Sequence, residues 1–313
     1  EKKIIKLLGL KLTLKRKAYI RHKQVINSIN SLREEVREEL KKETLQKSEL
    51  LMHSLCYQTN LYNKVKSLHG RVFPKYKNLH EGETAVLIAS GPTVNFYNPS
   101  IAGSNVKNIA VNGSFAYDKV DFDYLFLQDY SGLKESVAKI PYAKNLQNAT
   151  KFYGIMSPVP SDMIVPESVA IRDKAQRYYV HSVCYDALST PLIPRCDYAF
   201  DLASEFFMCH GTIPLIAMQF LLYANFKKIY IVGCDCSLKG HFSDNMEKQV
   251  TQETETDVWI LGWQKLKKFV DCYYPDTEII SVNPVGLKGL FKDVYTDEYL
   301  NSNKETLEPV KAG

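Results

Sequence analysis

The chain has 313 residues, a mass of 35.8 kDa and 45% hydrophobic content, enough to close a sizeable core and to exclude a wholly disordered or fibrous protein. Seven cysteines form an odd set with no CxxC pair and no zinc-like spacing; neither a disulfide framework nor a structural metal site is indicated, and reduced thiols in a cytosolic compartment are expected. The apolar runs fall far short of the roughly 20 residues of a membrane-spanning helix, and the formal charge of +5 is mild but unevenly spread.

Residues 1–23 carry nine Lys or Arg against the single acid Glu1, interleaved with Ile and Leu. A basic amphipathic segment of this kind is expected to lie on an anionic membrane face. Lysines interrupt what would be the apolar core of a secretory signal. From residue 24 to about 80 a helical stalk is expected. No Gly or Pro occurs from Gln24 to Ser67, and Ile29, Leu32, Val36 and Leu40 recur at three- and four-residue steps. That stripe either packs on the core or pairs with a second copy as a homo-oligomer, and periodicity does not choose.

After Gly82 the texture changes to short β-rich runs at 85–89, 107–111, 124–127, 151–155, 228–232 and 278–282, alternating with helical patterns at about 212–225 and 257–273. Runs apolar on both faces belong to a covered, mostly parallel sheet. The fold class is therefore α/β, a Rossmann-like domain over 81–300 with a tail at 301–313. Residues 157–209, rich in Pro, Tyr, Arg and Asp without a clear period, read as a lid or acceptor insertion.

Candidate chemistry gathers at strand ends. Ser90, Gly91, Pro92 and Thr93 follow the first strand, a small-residue turn whose N–H groups would approach a phosphate. Neither GxGxxG nor a P-loop is present. Asn112 and Gly113 end the second strand, and Gln128 with Asp129 the third, placing amides where a base or sugar edge is read. Asp121 and Asp123 form a DxD, but they precede a strand and so belong to the opposite rim. His210, Gly211 and Thr212 precede a helix whose dipole would attract an anion, with Thr212 as a plain N-cap the simpler alternative. Asp235 and His241 follow the fifth strand run, and His241 suits proton transfer near neutrality.

The ordered set A-S-G-P-T, V-N-G-S-F, H-G-T, F-K-K-I-Y-I-V-G-C-D and S-V-N-P over about Ala85 to Phe291 resembles bacterial sialyltransferase-like and Kdo-transferase-like glycosyltransferases, relatives of the motility accessory factors. The resemblance implies a CMP-activated acidic sugar as donor, no metal and no further cofactor. It further implies nucleotide contacts at Ser90, Gly91, Pro92, Thr93, Asn112, Gly113, Gln128, Gly211 and Thr212, and a closing loop at Asn283 and Pro284. Ser237 joins that set, although with Cys236 it stands where the family places tyrosines. His241 or His210 would serve as base, or Asp235 or Asp129 as nucleophile or base if configuration is retained. Arg172, Lys174, Arg177 and Arg195 are candidates for the sugar carboxylate or an acidic acceptor. The expected acceptor is a glycan or lipid-linked glycan of a bacterial cell surface, as in lipopolysaccharide or capsule, built at the cytoplasmic face of the inner membrane. The alternatives are a Mg²⁺-dependent pyrophosphokinase-like or nucleotidyl-transfer relative, and a noncatalytic membrane scaffold. Nucleic acid is not an expected partner, because the basic run lacks interleaved aromatics.

Overall fold

The computed structural model describes residues 2–128, 130–157, 164–182, 198–237, 239–242 and 253–303. Contacts divide the chain into two compact units, residues 1–62 and 63–313. The described residues of the first unit are all helical, the beginning of α1 (Lys2–Val72), which extends past the predicted basic segment without interruption. Leu32, Val36 and Leu40 on it are each more than half exposed. Among the described residues no helix is long and apolar enough to cross a membrane.

The second unit is built on one parallel sheet of nine strands, in the order β6-β5-β4-β3-β2-β1-β7-β8-β9. The strands are β1 (Thr84–Ile88), β2 (Val106–Val111), β3 (Tyr124–Leu127), β4 (Thr150–Ser157), β5 (Gln176–Ser182), β6 (Phe207–Cys209), β7 (Lys228–Val232), β8 (Glu278–Val282) and β9 (Lys292–Val294). Every neighbouring pair runs parallel. This confirms the α/β Rossmann-like class, and it adds β5, β6 and β9 to the six expected strands. β5 and β6 fall inside the stretch read as an insertion, so part of that stretch is sheet.

Alternation along each strand feeds two cores. Ala85 and Leu87 of β1 face a cluster containing Phe126, Phe152 and Trp263, while Val86 and Ile88 face another containing Leu125, Tyr153 and Val232. The first face is covered by α4 (Pro214–Tyr223), all ten of whose residues are buried, and by α5 (Glu253–Tyr273). A helix apolar all round belongs between layers. Gln219, its buried amide, accepts the N–H groups of Ala199 and Met208 and donates to the carbonyls of Met208 and Leu215, so no polar group of that side chain is wasted. The opposite face carries the short helices α2 (Lys134–Lys139) and α3 (Glu167–Arg172) with several 3₁₀ turns.

Val65 and His69 in the last turns of α1, and Phe73 just after it, are fully buried, and Phe73 belongs to the first core. Phe73 stacks on Phe152 at 5.6 Å between ring centres. His69 Nε2 accepts the Tyr179 N–H at 2.7 Å and its Nδ1 donates to the Glu205 carbonyl at 2.8 Å, tying α1 to β5 and to the approach to β6. Burial holds its pKa down at about 4.

Candidate active site at the strand-order reversal

Strands β1 to β6 build outward on one side and β7 to β9 on the other, so strand order reverses between β1 and β7. In an open parallel sheet the segments leaving two such strands diverge and open a crevice at their carboxyl ends, the usual ligand position. Ser90 to Thr93 leave β1 there, and Gly233 to Ser237 leave β7.

The floor of this crevice is built by Thr93 and Asp235. The Thr93 N–H donates to Asp235 Oδ2 at 3.0 Å, and its hydroxyl donates to Oδ1. Asp235 is 6% exposed, and desolvation raises its pKa above the ordinary carboxylate range despite those two bonds. The Gly91 N–H donates to the Gly233 carbonyl at 2.8 Å. Gly233 itself sits in the left-handed region at φ 68°, where only glycine is unstrained.

These bonds correct the expected phosphate cradle. The N–H groups of Gly91 and Thr93 are spent on the protein, and Pro92 has none, so the turn does not offer the row of amides that its small residues suggested. Small residues are needed here for close packing of two strand tips.

What the turn does present is Ser90. Its hydroxyl lies 2.8 Å from His241 Nδ1, and its carbonyl accepts the Phe242 N–H at 2.9 Å. His241 is half-buried, and desolvation lowers its pKa below the ordinary histidine value. The imidazole is therefore neutral near pH 7 and able to take a proton.

Along the same rim Asn112 adopts φ 48° and accepts the Gln128 N–H on Oδ1 at 2.9 Å, locking the tips of β2 and β3. Ser114 donates to the Ile88 carbonyl at 2.6 Å and fastens the turn after the buried Gly113 to the end of β1. The Gln128 side chain reaches Cys209 Sγ at 4.0 Å, beside His210. His210 is 5% exposed and packs against Tyr198 and the backbone of α5 at Gly262. That position suits packing more than proton exchange with a substrate. Gly211 (φ 80°) turns the chain into α4, and the capping position falls to Ile213 with Pro214 as first helical residue. Thr212 is thus not the N-cap, and proline removes one of the N–H groups expected to draw an anion.

Asn283 is fully buried at φ 51°, and its amide exchanges hydrogen bonds with Thr296, the cap of α6 (Asp297–Ser302). Its side chain is occupied structurally, while the loop it begins with the buried Pro284 meets the crevice where the Gly286 N–H donates to the Asp235 carbonyl at 2.8 Å. Ser237 has a buried hydroxyl with no partner among the described residues. Asp129 and Arg195 lie outside the described residues.

The remaining expectations divide. Asp123 accepts from Lys107 Nζ and the Asn108 N–H, both at 2.9 Å, at the amino rim of the sheet, as anticipated for the DxD. Arg172 clamps Asp173 at 2.7 Å, and Arg177 donates to the Val165 carbonyl at 2.7 Å. Both arginines, and Lys174 with them, stand at the amino end of β5, so they are misplaced for a sugar carboxylate at the carboxyl rim. Sequence reasoning missed Tyr299, which packs edge-on to Phe96 at 5.6 Å and stacks near Tyr295, and whose pKa is raised by burial and, to a lesser extent, by the Asp235 charge. Thr296 as N-cap, with Asp297 and Glu298 in the first turn of α6, was the available signal.

No protein-family model matches the chain, and no curated protein is similar to it. Solved structures that it resembles include sialyltransferases. The sialyltransferase CstII of Campylobacter jejuni, solved with the substrate analogue CMP-3FNeuAc, is 12% identical with a TM-score of 0.39, covering 68% of this chain and 86% of that one. CST-II with a trisaccharide acceptor and CMP gives 13% identity and a TM-score of 0.38, over 64% and 80%. The monofunctional α-2,3-sialyltransferase Cst-I of the same organism gives 11% and 0.38, over 64% and 75%. These likenesses are remote.

Proposed function

We propose that the chain is a glycosyltransferase that moves an acidic sugar, of sialic or Kdo type, from a CMP-activated donor to a glycan acceptor. The observation that carries the reading is the Ser90–His241 contact of 2.8 Å at the β1/β7 crevice, the place where a parallel sheet binds a nucleotide. The ordered motifs around it support the class of donor.

Ser90 Oγ accepts Nδ1–H of His241 in this scheme, which leaves the lone pair on Nε2. His241 takes the proton of the acceptor hydroxyl, the acceptor oxygen bonds to the anomeric carbon, and CMP departs with the electrons of the broken C–O bond. Asp235 positions rather than reacts, since both of its oxygens are held by Thr93. Tyr299 stands beside that carboxylate and replaces, from a different element, the aromatic hydroxyls that Cys236 and Ser237 lack. The Asp121 and Asp123 pair lies at the wrong rim for the metal-dependent alternative. The basic residues 2–23 would hold the enzyme on the anionic cytoplasmic face of the membrane, close to a lipid-linked acceptor.

The test is release of CMP from CMP-sialic acid and CMP-Kdo with an oligosaccharide acceptor, comparing the wild type with His241→Gln. Release that depends on acceptor and on His241 supports the reading; turnover of neither donor refutes it.

A further inference from the structure

Residues 20–60 of α1 form a lone helix on which large apolar side chains face water: Val25, Ile29, Leu32, Val36 and Leu40 are 56%, 56%, 59%, 57% and 58% exposed. With roughly 3.6 residues per turn these five fall on one narrow face. A stripe of this kind is a seam that expects a partner.

Charge decides which partner. Residues 24–62 hold five Lys or Arg against six Glu, so this section, unlike residues 1–23, has no basic excess to draw it onto an anionic lipid surface. The charges are also sorted about the seam. By the helical period Arg33 and Arg37 fall on one flank, and Glu35 and Glu39 on the other. A parallel two-fold pair apposes unlike flanks, whereas an antiparallel pair sets Arg against Arg and Glu against Glu. Farther along, Glu43 and Lys47 interrupt the face and are already paired at 2.7 Å within one helix. They break the apolar seam after Leu40 and give the polar step that discourages slippage of register.

We infer that the α1 face from Val25 to Leu40 is the seam of a parallel, in-register pairing with a second copy of this chain. It is independent of the proposed reaction, because no residue of the crevice takes part.

The experiment uses the full chain. Sedimentation equilibrium is expected to give twice the 35.8 kDa chain mass for the wild type, and the chain mass alone for Leu32→Glu/Val36→Glu. A Val36→Cys chain, with the exposed Cys56 and Cys272 replaced by Ser, is expected to oxidise to a disulfide-linked dimer, since an in-register parallel pair sets position 36 against its own copy, whereas an antiparallel pairing of the Val25 to Leu40 face sets it against Ile29. The inference is overturned by a wild type that stays monomeric, including one that is monomeric in solution yet binds phosphatidylglycerol vesicles through this face, by a dimer that survives the double substitution, or by a Val36→Cys chain that oxidises without cross-linking.

Discussion

Gly91 lies so close to Asp235 that a methyl group at position 91 would stand 2.5 Å from the carboxyl carbon and equally near the Gly233 carbonyl. Neither obstacle can retreat: one is backbone, and the other is held by Thr93 at two points. Gly91→Ala is therefore expected to lower stability by about 1–3 kcal/mol through overpacking, read as a loss in denaturant midpoint, with nucleotide affinity falling in the folded fraction as the crevice widens.

Thr93 tests the same tie from the other side. Thr93→Val keeps the volume but removes the hydroxyl donor from a buried carboxylate, for an expected cost of about 1–3 kcal/mol. Because burial raises the Asp235 pKa above that of the unfolded chain, the native state holds its proton longer. This carboxyl's contribution is complete below the unfolded pKa and is lost as pH rises through the folded one. Thr93→Val removes a bond that favours the charged form, so the loss should move to higher pH; Asp235→Asn should abolish it. Unfolding curves taken at a series of acidic pH values measure both.

His69 gives the opposite sign. Its pKa falls from 6.5 to about 4 on folding, so the stabilisation is complete above pH 6.5 and lost as pH drops toward 4, amounting to roughly 3 kcal/mol. His69→Phe should erase that slope while losing the bonds to Tyr179 and Glu205. A stability profile flat from pH 7 to pH 4 in the wild type would show that His69 is not the buried neutral link described.

Transfer should depend on His241 and Ser90 to different extents. Removing a general base costs about 10²–10⁴ in rate, the expectation for His241→Gln. Ser90→Ala loses one orienting hydrogen bond and should cost about tenfold. Since burial depresses the His241 pKa, the acid limb of kcat/KM should fall below pH 6.5, and Ser90→Ala should displace it while His241→Gln removes it.

Much of this architecture was legible in the sequence, for physical reasons that also mark the limit. The AVLIA, KIYIV and EIISV runs are buried on both faces, so each announces itself without any alternation. β5, Gln-Arg-Tyr-Tyr-Val-His-Ser, does not: its polar members are spoken for by neighbours, as with Gln176 and the Tyr76 hydroxyl or Arg177 and the Val165 carbonyl, and pattern alone reads such residues as solvated. β9 is a three-residue edge strand, too short to show a period. At the site, the turn positions of Ser90, Asn112 and Asp235 followed from strand ends, but their partners did not. Asn112 on the Gln128 N–H, Asn283 on Thr296 and Thr93 on Asp235 are contacts between segments 13 to 142 residues apart, and one-dimensional spacing cannot distinguish an amide reserved for a ligand from one spent on a neighbouring loop.

Isothermal titration of CMP into the full chain in the presence of EDTA asks whether the crevice between β1 and β7 holds the leaving nucleotide without a metal. Saturable binding of CMP, with UDP and NAD giving no heat and Gly91→Ala weakening the CMP signal, is the predicted result. No heat with CMP, or heat with CMP only when Mg²⁺ is restored, would contradict it.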